Sequence, residues 1–154
     1  LREVIPYALK EYKRRWYLIA EDYQGDNRIK TFSLDRISQL EITQTKVQHK
    51  KVDIETLFKD SFGITIDTET PPQEIILSFD YQQGQYIKTL PLHPSQEVLI
   101  DNEKEVRIRL KLIPNYDFVT EICARSLYVK VISPSSLAEE VKGYLKEAYE
   151  QYLS

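Results

Sequence analysis

The densest concentration of groups able to recognise a charged ligand in this 154-residue chain is Lys13-Arg14-Arg15-Trp16-Tyr17-Leu18, with Leu34-Asp35-Arg36-Ile37 downstream. Guanidinium groups pair with phosphate oxygens in a fixed fork, and aromatic rings accept stacked bases, so the combination suits single-stranded nucleic acid. A plainer reading stands beside it: on a strand Trp16 and Leu18 alternate inward as core, leaving Tyr17 and the arginines on the solvent face. Two secondary clusters follow. His93-Pro94-Ser95-Gln96 precedes a strand and offers His93 and Gln96 as ligand contacts, or else forms a turn whose side chains satisfy the local backbone. Val106 to Leu112 alternates without a break, which puts Arg107, Arg109 and Lys111 on one face. That face is either a grip for an anionic chain or an ordinary solvated, edge-protecting surface.

Catalysis asks for more specific residues than these. The two histidines, His49 and His93, have no metal-site spacing with cysteines, carboxylates or each other. Gly25, Gly63, Gly84 and Gly143 are too scattered to build a phosphate-cradling loop or a dinucleotide fingerprint. No Gly-x-Ser-x-Gly elbow occurs, and Cys123 lies on an apolar helical stripe where a core thiol is the ordinary occupant. The expectation is therefore no enzyme, no metal and no cofactor.

The elements that must position these groups fall into two series. Val4–Leu9, Trp16–Ala20, Lys30–Leu34 and Ile37–Ile42 are rich in β-branched and aromatic residues, with breaks at Lys10–Lys13 and at Gln24-Gly25-Asp26-Asn27. Four short strands at this spacing predict a small, strongly bent barrel and leave open whether it closes. Asp53 then caps a helix carrying Ile54, Leu57, Phe58 and Phe62, which Gly63 ends. Asp67-Thr68-Glu69-Thr70-Pro71-Pro72 reads as a boundary. Beyond it strand, helix, hairpin, helix and strand follow in the βαββαβ order of a ferredoxin-like domain, and a last helix from Ser133-Pro134 is expected to bury Leu137, Val141, Tyr144, Leu145, Ala148 and Tyr152. The fold class is thus α+β. Residues 1–52 are the barrel, 53–73 helix and linker, and 74–154 the ferredoxin-like domain.

Composition narrows the setting. Charged residues make up 29% and hydrophobic residues 42%, and no run of eighteen apolar residues occurs, so no membrane span is expected. Residues 1–52 carry 11 Lys and Arg against 7 Asp and Glu, while 53–154 carry 10 against 17. The N-terminal part attracts anions modestly, without the basic stripe of a dedicated duplex binder. A single cysteine fits a reducing cytoplasm, and an opening Leu1-Arg2-Glu3 without methionine suggests a piece of a longer protein.

At Pro6-Tyr7, Arg14 to Ala20 and Phe32-Ser33-Leu34-Asp35-Arg36-Ile37 the sequence resembles the WYL family, named for the Trp-Tyr-Leu run seen here as Trp16-Tyr17-Leu18. The part after the linker looks like the C-terminal extension found behind WYL domains, with His93-Pro94-Ser95-Gln96 and Ser133-Pro134-Ser135-Ser136-Leu137 in familiar places. The resemblance implies an Sm-like or SH3-like barrel, a ferredoxin-like extension, and a winged helix-turn-helix DNA-reading domain upstream. It also implies a homodimer that senses nucleic acid or another anionic ligand through the barrel. Tyr17 and Arg36 match motif positions, Arg14 and Arg15 lie beside them, and Tyr7 matches the upstream segment. The family pattern usually begins with a further strand before Pro6. The function expected is the sensing and dimerisation part of a bacterial transcription regulator, and the competing expectation is a purely structural dimerisation module.

Overall fold

The computed structural model describes residues 1–153, which divide between Thr68 and Glu69 into two compact units. In the first, β1 (Val4–Tyr12), β2 (Arg15–Asp22) and β3 (Ile29–Ser33) form an antiparallel sheet in that order. The β1–β2 hairpin closes through Lys13 and Arg14, both left-handed at φ 49° and 64°. A two-residue turn of this hand matches the twist of the flanking strands. The expected break at Lys10–Lys13 is therefore displaced: β1 continues through the charged residues to Tyr12, opposite Arg15. The β2–β3 turn needs its glycine, because a Cβ on Gly25 would lie 2.6 Å from the buried Asp22 carboxylate.

The expected fourth strand does not form. Leu34–Arg36 makes a 3-10 turn, Gln39 adopts a left-handed φ of 53°, and Ile42 is 94% exposed. Ile37, Leu40 and Ile42 lack a common parity, so no single strand face could bury all three. Three strands among the described residues leave the sheet open rather than closed into a barrel. Downstream, α1 (Ile54–Phe58) starts where expected, Asp53 Oδ1 accepting from the Glu55 and Thr56 amides at 3.1 and 3.2 Å. The helix ends at Phe58, so the expected run through Phe62 to a stop at Gly63 does not form, although Gly63 takes a left-handed φ of 74°. Ile5, Ile19, Ala20 and Phe62 are this unit's buried apolar residues. Trp16, expected in the core, is 52% exposed: it sits next to the hairpin tip, and burial along β2 rises only toward its far end.

The second unit runs β4 (Gln73–Asp80), α2 (Tyr81–Thr89), β5 (Glu97–Asp101), β6 (Glu105–Leu112), α3 (Tyr116–Ala124), β7 (Val129–Ser133) and α4 (Ser135–Glu150). The sheet order β5-β6-β4-β7, antiparallel throughout, is the ferredoxin-like arrangement that the element order predicts. Ile75, Leu77 and Phe79 pair in register with Leu110, Ile108 and Val106, and all six are buried. Gly84 lets α2 approach this layer, since a Cβ there would stand 2.3 Å from Val106 Cβ. Asp80 and Asn115 cap α2 and α3 through Gln83 N at 2.8 Å and Phe118 N at 3.0 Å. The stripe expected along α4 is only half used. Leu137 and Val141 are buried and Leu145 partly so, whereas Tyr144, Ala148 and Tyr152 are exposed; Tyr144 meets the Tyr116 ring of α3 edge-on at 6.5 Å between centroids, and burial falls away beyond it.

Candidate ligand-binding groove

Alternation along β2 places Arg15, Tyr17, Ile19 and Glu21 on one face of the first sheet, and register places Ser33 opposite Tyr17 and Thr31 opposite Ile19. On that face lies a groove of about 420 Å³ lined by Arg15, Tyr17, Thr31, Phe32, Ser33, Arg36, Ile37 and Ile64. The 3-10 turn brings Arg36 to the same wall as Arg15, twenty-one positions earlier. The lining combines two guanidinium groups, three hydroxyls, the Tyr17 ring and two isoleucines; the Phe32 side chain, in register with Leu18, belongs to the other face of the sheet, where the Arg2 guanidinium lies 5.8 Å from its ring centre. The groove is the kind of concave, partly apolar surface with a few convergent polar groups that holds a small ligand.

Its charges are unequal. Arg15 Nη1 donates to Asp35 Oδ2 at 3.2 Å, with the two side chains 64% and 58% exposed. Arg36 makes no ion pair among the described residues. Of the five primary residues expected from sequence, the groove brings together Arg15, Tyr17 and Arg36. Arg14 lies in the hairpin turn, its amide donating to Glu11 Oε1 at 2.8 Å and its side chain exposed. Tyr7 does not line the groove; its hydroxyl donates to Glu21 Oε2 at 3.0 Å, and its ring meets His49 edge-on at 5.7 Å between centroids.

Sequence reasoning missed the buried acidic pair of β2. Glu21 accepts from Lys50 Nζ at 2.6 Å as well as from Tyr7. The Lys50 hydrogen bond, with help from Tyr7, holds the Glu21 carboxyl below the usual carboxylate range against the opposing effect of burial. The same contact raises Lys50, while burial and then the Glu21 hydrogen bond raise Tyr7. Asp22 pairs with Lys30 at 3.0 Å, and Lys30 is raised by Asp26 and then Asp22. These contacts, with Lys10 Nζ 4.7 Å from the centre of the Phe58 ring, tie residues 49–58 to the sheet and so steady the segment that carries Ile64 to the groove. The signal available in the sequence was two adjacent acids ending an apolar strand. Phe32, Thr31, Ser33 and Ile64 were also unforeseen as lining.

In the second unit the secondary candidates are engaged within the fold. His93 is buried, its Nδ1 2.8 Å from Ser95 Oγ and accepting from the Ser95 amide at 3.2 Å. Ser95 Oγ donates to Lys111 O at 3.0 Å and accepts from Lys111 N at 2.9 Å. Gln96 accepts from Leu92 N and donates to Ile87 O, at 3.0 and 2.9 Å. The cluster joins the end of α2 to β6. On the solvent face of the sheet, Arg107 donates to Glu105 at 2.8 Å, and Glu105, itself lowered chiefly by a Ser78 hydrogen bond, accepts from Ser78 Oγ at 2.6 Å. Arg109 pairs with Glu97 and, at 3.8 Å, with Glu74. Cys123 is half-buried, and burial followed by the charge of Glu140 pushes its thiol up, away from reactivity.

Among the described residues no group of three or more His, Cys, Asp or Glu side chains could hold a metal ion, and no helix is long and apolar enough to cross a membrane. A search of curated proteins found no match. A solved structure titled proteasome accessory factor B/C (PafBC) of Arthrobacter aurescens is similar at 18% identity and a TM-score of 0.44, over 99% of this chain and 23% of that one. The chain therefore spans about a quarter of that structure's length. Residues 1–42, which contain all three strands of the first sheet, the Leu34–Arg36 turn and seven of the eight groove residues, match the family model of the WYL domain.

Proposed function

We propose that this chain is the ligand-sensing and dimerisation part of a bacterial transcription regulator, and that it holds single-stranded nucleic acid or an anionic small molecule in the groove of its first unit. The observation that carries the reading is the convergence of Arg15, Arg36 and Tyr17 on one groove. Two cations neutralise phosphate charge and the Tyr17 ring offers a stacking surface, with hydroxyls of Ser33 and Thr31 available to phosphate oxygens. The WYL match over residues 1–42 supports the same assignment. No residue acts catalytically in this reading.

Arg15, Tyr17 and Arg36 contact ligand; Tyr7 positions the groove face through Glu21, and Arg14 adds charge at the hairpin. The functional segments are 1–52 for sensing, 53–73 for connection and 74–154 for assembly. His93, Gln96, Arg107 and Arg109 serve the architecture of that last segment. Ligand occupancy biases the geometry of a cytoplasmic homodimer, and the bias is passed to a helix-turn-helix domain outside this chain through linked equilibria.

Fluorescence anisotropy of a labelled hexathymidylate, titrated with the chain and its Arg36→Ala and Tyr17→Ala variants, tests the assignment. Loss of affinity in both, with unchanged far-ultraviolet circular dichroism, is expected. Unchanged affinity in both removes it. A second reading, a structural dimerisation module without ligand, is favoured by the exposed Tyr144 and Tyr149 on the second half of α4 and Tyr152 just beyond its end. It predicts that Tyr149→Ser with Tyr152→Ser shifts sedimentation equilibrium toward monomer while no anion binds.

A further inference from the structure

We infer that Asp35 is an internal competitor which reserves Arg15 for anions of higher charge, such as phosphate monoesters, and lowers the groove's affinity for all anions; this rests on the groove being the ligand site. The observation is the asymmetry of the two cations. Arg36 has no ion-pair partner among the described residues, whereas Arg15 is engaged by Asp35 through one contact at 3.2 Å. A guanidinium has five donors, and a single contact to a carboxylate occupies one of them. With both side chains more than half exposed, such a pair is weak and is exchanged at little cost.

The consequence is a threshold. A monoanion, such as an internal phosphodiester, is satisfied by Arg36 and gains little by displacing Asp35. A terminal phosphate carries a charge of roughly −1.5 to −2 near neutrality and three acceptor oxygens. It can engage Arg36 and also outcompete the carboxylate for the fork of Arg15. Asp35 thus raises the ligand charge at which both arginines become available. A phosphorylated strand end and a free mononucleotide share this chemistry.

The test uses the full chain and two probes, hexathymidylate with and without a 5′-phosphate, at low salt. The 5′-phosphorylated probe is expected to bind several-fold more tightly to the wild type. Asp35→Asn should tighten both probes, roughly two- to tenfold for freeing an exposed pair and removing a repelling charge, with the larger gain for the phosphorylated one, which alone displaces the carboxylate and carries more charge against it, so that the preference grows. In an Arg15→Ala background the same substitution should gain at least about twofold less, since no cation remains to be released. Equal affinities for wild type and Asp35→Asn, or an equal gain without Arg15, overturn the competitor role. If Arg36→Ala still loses affinity in those cases, the groove survives as the site. If neither wild type nor Asp35→Asn binds either probe, both readings fall, whereas binding only by Asp35→Asn supports the competitor. Thymidine 5′-monophosphate and inorganic phosphate, added as competitors, separate nucleotide from bare phosphate as the source. Displacement by either supports the engagement of Arg15 by a phosphate monoester, and displacement by neither contradicts it.

Discussion

Two glycines of the second unit sit in helices and should answer alanine substitution with opposite signs. A Cβ on Gly84 of α2 would stand 2.3 Å from both Cβ and Cγ2 of Val106, a residue with no exposure that pairs with Phe79 across the sheet. Ordinary carbon contacts are about 3.5–4.0 Å, so α2 and β6 would have to part by more than about 1 Å. Overpacking of a tight core costs about 1–3 kcal/mol, and so large an overlap belongs at the upper end. Alanine recovers about 1 kcal/mol of helix propensity, leaving Gly84→Ala destabilised by roughly 2 kcal/mol. For a unit of this size that is a fall in Tm of roughly 8–16 °C. A Cβ on Gly143 of α4 meets nothing within 4 Å, so Gly143→Ala should raise stability by about 0.5–1 kcal/mol. Calorimetric melts of the three proteins measure both effects, with the one tryptophan, Trp16, reporting the first unit separately. A Gly84→Ala protein as stable as wild type would refute the close approach of α2 to β6.

Further outcomes follow from the site and its supports. Because Lys50 lowers Glu21, the carboxylate's stabilisation is complete above its ordinary value of about 4.3 and is lost as pH falls through the lowered folded value. The raised Lys50 gives a contribution complete below about 10.4 and lost as pH rises through its folded value. Lys50→Met should weaken the dependence at both ends of the scale in urea titrations followed at Trp16, and an unchanged acid limb would contradict the assignment. Arg14→Gly relieves a left-handed non-glycine residue and should stabilise the first unit by about 1 kcal/mol, with oligonucleotide affinity falling only by its lost charge; a lower midpoint in urea would refute the turn argument. Ser95→Ala removes the hydroxyl that joins His93 to both Lys111 backbone groups and should cost the second unit about 1–3 kcal/mol without altering anion affinity. A change in affinity at constant stability would return this cluster to the list of ligand contacts.

The parts of the fold legible in the sequence were those with local chemistry. Asp53 and Asn115 announced helix starts through their capping side chains, and strict alternation from Val106 to Leu112 marked a central strand of the ferredoxin-like sheet, whereas Gly63 did not mark the end of α1, which stops at Phe58. The hairpin at Lys13-Arg14 was hidden because neither residue is a usual left-handed turn former. The false strand at Ile37–Ile42 came from reading β-branched content without checking parity. Trp16 and the outer half of α4 were assigned to the core on pattern alone, yet pattern specifies which face would be buried and not whether another element arrives to cover it. The groove was legible as a pair of arginine-containing motifs. Its floor and rim depended on the 3-10 turn and on Ile64, contacts between distant positions that no local period encodes.

The central claim is that Arg15, Tyr17 and Arg36 form one anion site. Amide and guanidinium chemical-shift mapping on the isotope-labelled chain, during titration with 5′-phosphorylated hexathymidylate at low and moderate salt, reads this directly. The account predicts that Arg15, Tyr17, Ser33 and Arg36 shift together along one saturating curve, with affinity falling as salt rises, while Arg107 and Arg109 stay in place. Shifts confined to the second unit, or no saturating shift at the groove at either salt concentration, would contradict it.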